Sequence, residues 1–266
     1  NTSITKIDPM AYRTRTSEIT TILFDLDNTL IETRKGDCLA CKKLSEELTL
    51  LYNIPQETAA KITGNYLKQF RKCPDNSAYD LDTWRSSLWA KALGQKYSHI
   101  TTKIYERWLY LRYYYLKMSP DTVEMLVELR KKYLLGLITN GPSSAQREKI
   151  TRLELSPYFD IVLVSGDLPW EKPQVEIFLE ACRSLGVRPS SCIMVGDKLE
   201  SDIKGGIESG LAGTVWIPLT DKTRPSVDDP KPDYTIKHVT DLMGILNKRP
   251  DAPELEDSSS NASDGS

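Results

Sequence analysis

The sequence lacks the features that mark a membrane protein, a secreted protein or a basic nucleic-acid binder. No apolar stretch approaches the ~20 residues that a transmembrane helix needs. The polar segment Asn1–Glu18 has no apolar core of the kind found in signal peptides. The formal net charge is −2, whereas non-specific nucleic-acid binding requires a basic surface. We therefore expect neither a membrane nor a nucleic acid as a partner.

Cysteine and histidine are scarce, with 5 cysteines and 2 histidines among 266 residues. An odd and sparse set of thiols does not support a disulfide framework, and a reducing, cytoplasmic location is expected. Cys38 and Cys41 form a CxxC pair, but no second pair completes a zinc site. His99 and His238 do not have metal-ligand spacing, so neither is assigned a role.

Apolar residues make up 39% of the chain and charged residues 27%, which is typical of a globular protein with a sizeable core. Short apolar runs, most of them followed by Asp, Asn or Gly, are typical of strands buried on both faces of a parallel sheet. The predicted strands are Thr21–Leu26, Leu134–Thr139, Ile161–Ser165, Cys192–Gly196 and Thr214–Ile217. Helical periodicity between the later strands predicts an α/β fold with a doubly wound, mostly parallel sheet.

Residues 33–117 interrupt this alternation with helical patterns alone. We predict that they form a helical cap, inserted into a catalytic core of residues 19–32 and 118–248. Residues 1–18 are expected to be a flexible N-terminal segment. Residues 249–266, rich in Ser, Asp and Glu, cannot bury enough apolar surface to fold, and a disordered tail is expected there.

Two carboxylates, Asp25 and Asp27, follow the apolar run of the first predicted strand. In open α/β sheets, ligands bind at the carboxyl ends of the strands. Burial of paired carboxylates requires compensation by a metal ion or a functional shift in pKa. Taken alone, these residues also fit an ordinary turn after a strand.

The second predicted strand ends in Thr139 and Asn140. A hydroxyl and the backbone N–H groups that follow it can bind an anion at such a turn, although Asn-Gly is also a common turn dipeptide. Lys172 precedes Pro173, where we expect a helix to begin. A lysine there would offer a fixed positive charge to an anion, although most single lysines lie on the surface.

The fourth predicted strand ends in Asp197, and Asp202 lies five residues further on. Carboxylate oxygens from two strand ends suit Mg²⁺, a hard cation that takes few protein ligands. Asp202 also fits the N-cap of a helix. The sequence therefore places acidic, hydroxyl and basic groups at one edge of the predicted sheet.

In this order, the four segments resemble the motifs of the haloacid dehalogenase superfamily, specifically its phosphatases. The matching segments are Asp25-Leu26-Asp27-Asn28-Thr29, Thr139, Lys172 and Gly196-Asp197-(x)4-Asp202. The resemblance spans the core from about Thr20 to His238, and four motifs in order are far more specific than any one of them. It implies hydrolysis of a phosphate monoester with Mg²⁺ as the cofactor.

The resemblance also implies a role for each motif residue. Asp25 would be the nucleophile that forms an aspartyl-phosphate, and Asp27 would protonate the leaving alcohol and then activate water. Asp25, the backbone carbonyl of Asp27, and Asp197 would hold Mg²⁺, and Asp202 would orient Lys172 or metal-bound water. The implied phosphate-binding groups are the backbone N–H groups of Leu26, Asp27 and Asn28 and the side chains of Thr139, Asn140 and Lys172. A second aspartate favours a phosphate ester over a carbon–halogen bond, because a departing alkoxide needs a proton.

A helical cap in this position implies a small phosphorylated metabolite as the partner. Longer stretches resemble the branch of the family that acts on a phosphorylated sialic acid. They are 24–31, 137–141 with 146–150, 195–206 and 212–217. Because such a substrate carries a carboxylate, Arg85 and Arg112 are candidate ligands for it, unless they are solvated arginines on amphipathic helices.

Two other interpretations remain open. The substrate could be another small ester, such as phosphoglycolate, a sugar phosphate or a nucleoside monophosphate. Alternatively, the chain could be a non-catalytic protein that kept this fold, since fold alone does not fix function. We expect a monomer or a weak homo-oligomer.

Overall fold

The structure is a computed structural model that describes residues 18–73, 80–220 and 225–247. Of the segments expected to be flexible or disordered, residues 1–17 and 249–266 lie outside the described residues. Within them, no helix is long and apolar enough to cross a membrane.

A parallel sheet forms the centre of the fold, and its six strands have the order β3-β2-β1-β4-β5-β6. The strands are β1 (Thr21–Phe24), β2 (Leu134–Thr139), β3 (Ile161–Val164), β4 (Cys192–Gly196), β5 (Gly213–Trp216) and β6 (Tyr234–Thr235). The predicted α/β class and parallel sheet are confirmed, and every predicted strand is present with small shifts at its ends. β6 was not predicted because its two residues are exposed and lack an apolar run.

Nine α-helices surround or extend the sheet in the described part of the chain. They are α1 (Thr33–Tyr52), α2 (Gln56–Phe70), α3 (Leu81–Leu93), α4 (Thr101–Leu116), α5 (Pro120–Arg130), α6 (Ser143–Arg152), α7 (Val175–Leu185), α8 (Lys204–Glu208) and α9 (Leu242–Leu246). The expected helix start at Pro173 is wrong, because α7 begins two residues later and the Lys172–Pro173 peptide bond is cis.

Both faces of the sheet are covered, which explains the continuous apolar runs. On one face, Phe24 and Leu137 pack with Leu126 of α5. On the other face, Leu23 and Met194 pack with helix α7. The register places Phe24 level with both Leu137 and Val195, so β1, β2 and β4 end at the same edge.

The helices α1–α4, called the cap helices below, lie between β1 and β2 in the chain and pack around an aromatic cluster of their own. Tyr66 stacks on Trp89 with ring centroids 3.8 Å apart and meets Trp108 edge-on at 5.0 Å. The segment is helical as expected, while its status as a separate domain stays a prediction. Cys38 is exposed and Cys41 is buried on α1.

Candidate active site

Asp25 lies one residue beyond β1 and is bound to a buried lysine. The Lys172 ammonium donates hydrogen bonds to Asp25 Oδ1 and to the carbonyl of Ile138, both at 2.7 Å. It also lies 2.7 Å from Oδ1 of Asp202. Burial alone would lower the pKa of Lys172, but Asp202 and Asp25 raise it above its ordinary value. Lys172 is therefore a fixed cation between two carboxylates.

Asp25 is buried, and only 7% of the residue is exposed. Burial raises its pKa to about 6, against the opposing effect of Lys172. The hydroxyl of Thr29 donates a hydrogen bond to Oδ2 at 3.2 Å. Asp25 is thus oriented through both of its oxygens, which is what a nucleophile requires.

Three carboxylates meet at the ends of β1 and β4. One oxygen each of Asp25, Asp197 and Asp202 lies within 4.8 Å of the others. Both carboxylate oxygens of Asp197 are buried and have no hydrogen-bond partner. Burial is the largest cause that raises the pKa of Asp197 to about 8, followed by Asp25 and Asp202. One lysine cannot neutralise three carboxylates, and this set of hard oxygen donors, which includes both unpartnered oxygens of Asp197, fits Mg²⁺.

Asp202 reaches this cluster because residues Leu199–Ile203 form a single π-helical turn. Its Oδ2 accepts a hydrogen bond from the backbone N–H of Lys198 at 3.0 Å. A side chain at Gly196 would place a Cβ 2.3 Å from Cγ of Asp202, so the motif requires glycine there. The N-cap of α8 is Ile203, and the alternative in which Asp202 caps a helix is therefore wrong.

Asp27 is held by three other side chains, none of which the sequence analysis had identified. The ammonium of Lys149 donates to both carboxylate oxygens at 2.7 and 2.8 Å. Gln146 donates to Oδ2 at 2.9 Å, and the Thr33 hydroxyl donates to Oδ1 at 2.5 Å. Burial would raise the pKa of Asp27, but Lys149, Thr33 and Gln146 lower it below its ordinary value. The three-residue spacing of Gln146 and Lys149 on a helix that follows β2 is the signal that could have revealed them.

Thr139 and Asn140 lie at the end of β2, as predicted, but their side chains are engaged. Thr139 Oγ1 accepts a hydrogen bond from Gln146 at 2.5 Å. Asn140 donates to the carbonyl of Lys172 at 2.8 Å and accepts from its backbone N–H at 2.9 Å. Asn140 therefore positions Lys172, and a direct contact with phosphate stays a prediction.

The turn after Asp27 changes one part of the predicted phosphate cradle. The backbone N–H of Asn28 donates to the carbonyl of Ile31 at 2.7 Å. Contrary to the expectation, this N–H group is therefore not free to bind phosphate. Asn28 adopts a left-handed conformation with φ of 62°, which asparagine tolerates better than most residues. The roles of the Leu26 and Asp27 backbone N–H groups stay predictions.

Arg85 and Arg112 are buried in ion pairs, so the alternative of solvated arginines is wrong. Arg85 is 1% exposed and lies 2.9 Å from Glu148 of α6. Arg112 is 2% exposed and lies 2.8 Å from Asp37 of α1. Each guanidinium group already has a carboxylate partner within the chain. Binding of a substrate carboxylate stays a prediction, and it would have to compete with these pairs.

The α/β sheet brings a buried lysine and three carboxylates together at its carboxyl edge, which is where open α/β sheets bind ligands. The chain belongs to the haloacid dehalogenase-like hydrolase family, whose model matches residues 22–215. It is 35% identical over 237 residues to N-acylneuraminate-9-phosphatase of Homo sapiens, covering 86% of this chain and 94% of that protein. It is 31% identical over 241 residues to glyceraldehyde 3-phosphate phosphatase of Pyrococcus furiosus, with 86% and 94% covered.

Among solved structures, a HAD phosphatase from Thermococcus onnurineus is 28% identical with a TM-score of 0.57, and the match covers 86% of this chain and 98% of that one. The predicted membership of the family is confirmed. The chain is a phosphoric monoester hydrolase of this family.

Proposed function

We propose that the chain converts N-acylneuraminate 9-phosphate to free sialic acid and inorganic phosphate, with Mg²⁺ bound and Asp25 transiently phosphorylated. The observation that carries the chemistry is the buried Asp25–Lys172 pair beside the unpartnered carboxylate of Asp197. The substrate is proposed from the 35% identity to the human phosphatase of that name over 86% of the chain.

In the first step, Asp25 attacks phosphorus, the ester P–O bond breaks, and the leaving oxygen takes a proton from Asp27. In the second step, Asp27 takes a proton from water, water oxygen attacks phosphorus, and the bond to Asp25 breaks. Lys172 offers its positive charge to the phosphoryl oxygens throughout. For the acid role, the carboxyl group of Asp27 must carry a proton when the substrate is bound.

Asp25, Asp197 and the backbone carbonyl of Asp27 would hold Mg²⁺, with Asp202 oriented beside them. When bound, Mg²⁺ supplies positive charge that offsets repulsion between the carboxylate of Asp25 and a phosphate dianion. The fit rests on the oxygen donors of the acidic cluster and on the two buried oxygens of Asp197 that have no partner.

A second candidate substrate is a small ester without a carboxylate, such as glyceraldehyde 3-phosphate. A relative with that activity in its name is 31% identical over 86% of the chain. The ion pairs of Arg85 and Arg112 favour this candidate, because neither cation is available without breaking a buried pair. We also propose a cytoplasmic enzyme, monomeric or weakly self-associating, that acts on a small metabolite and binds no nucleic acid.

The test is phosphate release, with Mg²⁺ and with EDTA, from N-acetylneuraminate 9-phosphate, glyceraldehyde 3-phosphate, phosphoglycolate, hexose phosphates and nucleoside monophosphates. A clear preference for the sialic acid ester, abolished by EDTA, supports the full proposal. Preference for another ester keeps the reaction and reassigns the substrate. Loss of turnover for every ester contradicts the proposed function.

A further inference from the structure

Helix α6 makes polar contacts in two directions from neighbouring positions. Towards the cap helices, Glu148 accepts two hydrogen bonds from Arg85, each of 2.9 Å, and one from the Tyr113 hydroxyl. Towards β1, Gln146 and Lys149 donate to Asp27. A single helical turn thus connects the cap helices to the proposed proton donor.

The contact between Glu148 and Arg85 is a buried ion pair rather than a surface one. The side chain of Arg85 is 1% exposed and that of Glu148 is 17% exposed. The guanidinium group lies 5.9 Å from the ring centre of Phe70 and 5.7 Å from that of Trp108. A charge in such an apolar setting depends on its partner, because an unpaired buried charge is strongly unfavourable. The pair therefore fixes α3 against α6.

Other groups reinforce the same connection. Tyr113 belongs to α4, and the centre of the Tyr113 ring lies 5.2 Å from the guanidinium group of Arg152, a residue of α6. Burial would raise the pKa of Glu148, but Arg85 and Tyr113 lower it, so the carboxylate form is favoured. Thr33, at the start of α1, contacts Asp27 from the cap side. Asp27 is consequently held between the cap helices and α6.

We infer that Glu148 is a positioning residue: its ion pair with Arg85 fixes α6 to the cap helices, so that Gln146 and Lys149 hold Asp27 at the place where the leaving group lies. The inference rests on the proposed function, which gives Asp27 its role at the leaving oxygen. Arg85 then has a structural carboxylate partner and does not bind the carboxylate of a substrate.

This arrangement predicts a dependence on the leaving group. An alkyl phosphate releases a basic alkoxide and needs the proton of Asp27. p-Nitrophenyl phosphate releases a stable phenolate and needs it much less. Displacement of Asp27 should therefore slow the alkyl ester selectively, whereas a general loss of structure should slow both esters together.

The experiment measures kcat of the full chain for the alkyl phosphate of the panel above that the wild type hydrolyses fastest, and for p-nitrophenyl phosphate. Glu148→Gln should lower the ratio of the two kcat values by about tenfold, a part of the 10²–10⁴ that a general acid contributes. The matched control is Glu47→Gln, which breaks a two-contact pair with Arg107 inside the cap helices, at 2.7 and 2.8 Å, and does not touch α6. For Glu47→Gln, the ratio of the two kcat values should stay within about twofold of the wild-type ratio.

An unchanged ratio in Glu148→Gln, or equal losses for both esters, would overturn the inference. If that variant does not fold, Arg85→Lys is measured in the same way and decides by the same ratio. This variant keeps the charge but has a shorter side chain than arginine, whose Nη1 atom makes both contacts to Glu148. A wild-type protein that releases phosphate from none of the esters named under the proposed function contradicts that function itself. Active wild type with an unaffected ratio contradicts only the positioning role.

Discussion

Asp197→Asn should stabilise the metal-free protein at alkaline pH while it abolishes catalysis. Both oxygens of Asp197 are buried without a partner, and the pKa of this group is raised from 3.8 to about 8. Because the folded-state pKa lies above the unfolded value, the associated stability is present below about pH 4 and is lost as pH rises towards about pH 8. The raised pKa of Asp25, about 6, acts in the same direction.

The size of the stability change follows from the pKa shift of Asp197. Each pKa unit is worth about 1.4 kcal/mol, so between about pH 5 and about pH 8 the ionisation of Asp197 costs about 4 kcal/mol. That is a large fraction of the ~5–15 kcal/mol that stabilises a typical protein. Asparagine has nearly the same shape and no charge, so the stability advantage of the variant over wild type should grow with pH by about this amount.

The assay is urea unfolding at both pH values, in EDTA and in Mg²⁺. Wild type should gain about 2.7 kcal/mol when free Mg²⁺ is a hundred times its Kd, and Asp197→Asn should lose most of that gain. Glu200→Gln is the control, because it removes the same charge from an exposed position of the same loop. A variant that is less stable than wild type in EDTA at alkaline pH, or equally stabilised by Mg²⁺, would refute the reasoning.

Three further predictions concern activity and stability. Asp25→Asn and Asp27→Asn should each lose nearly all phosphatase activity; full turnover by Asp25→Asn would contradict the mechanism. Lys172→Met should abolish activity and destabilise the protein by about 3–5 kcal/mol in EDTA, because it leaves buried carboxylates without their cation; calorimetry that shows no loss would argue against the pair. Trp89→Ala should cost about 3–5 kcal/mol, because the ring is fully buried in the cap cluster; a change below about 1 kcal/mol would show that this cluster does not hold the cap helices together.

The fold was predictable because strands that are buried on both faces of a sheet have continuous apolar sequences. Strands such as β2 and β4 are continuous apolar runs, since helices cover each side of the sheet. β6 consists of exposed residues at the sheet edge, so its sequence contains no apolar run. The start of α7 was misplaced because Pro173 is a strong signal for a first helical position, although the chain turns once more before the helix begins.

The motif residues of the site were predictable for a related reason. Parallel strands place their carboxyl ends at one edge, so Asp25, Thr139 and Asp197 had to lie close together once the sheet was recognised. The groups around Asp27 were not predictable, because Lys149 lies 122 positions away in the chain and its contact depends on where α6 lies relative to the loop after β1. Pairing of Arg85 with Glu148 likewise depends on packing of the cap helices, which no local pattern encodes.

The central claim is that Asp25 becomes phosphorylated during turnover. It is tested most directly by mixing enzyme, Mg²⁺ and substrate, quenching in acid, reducing with borohydride and sequencing the peptide that holds Asp25 by mass spectrometry. Reduction of an aspartyl-phosphate yields homoserine, so the account predicts homoserine at this position in wild type and none in Asp25→Asn. Phosphate release without homoserine at this position, or homoserine at another aspartate, would contradict it.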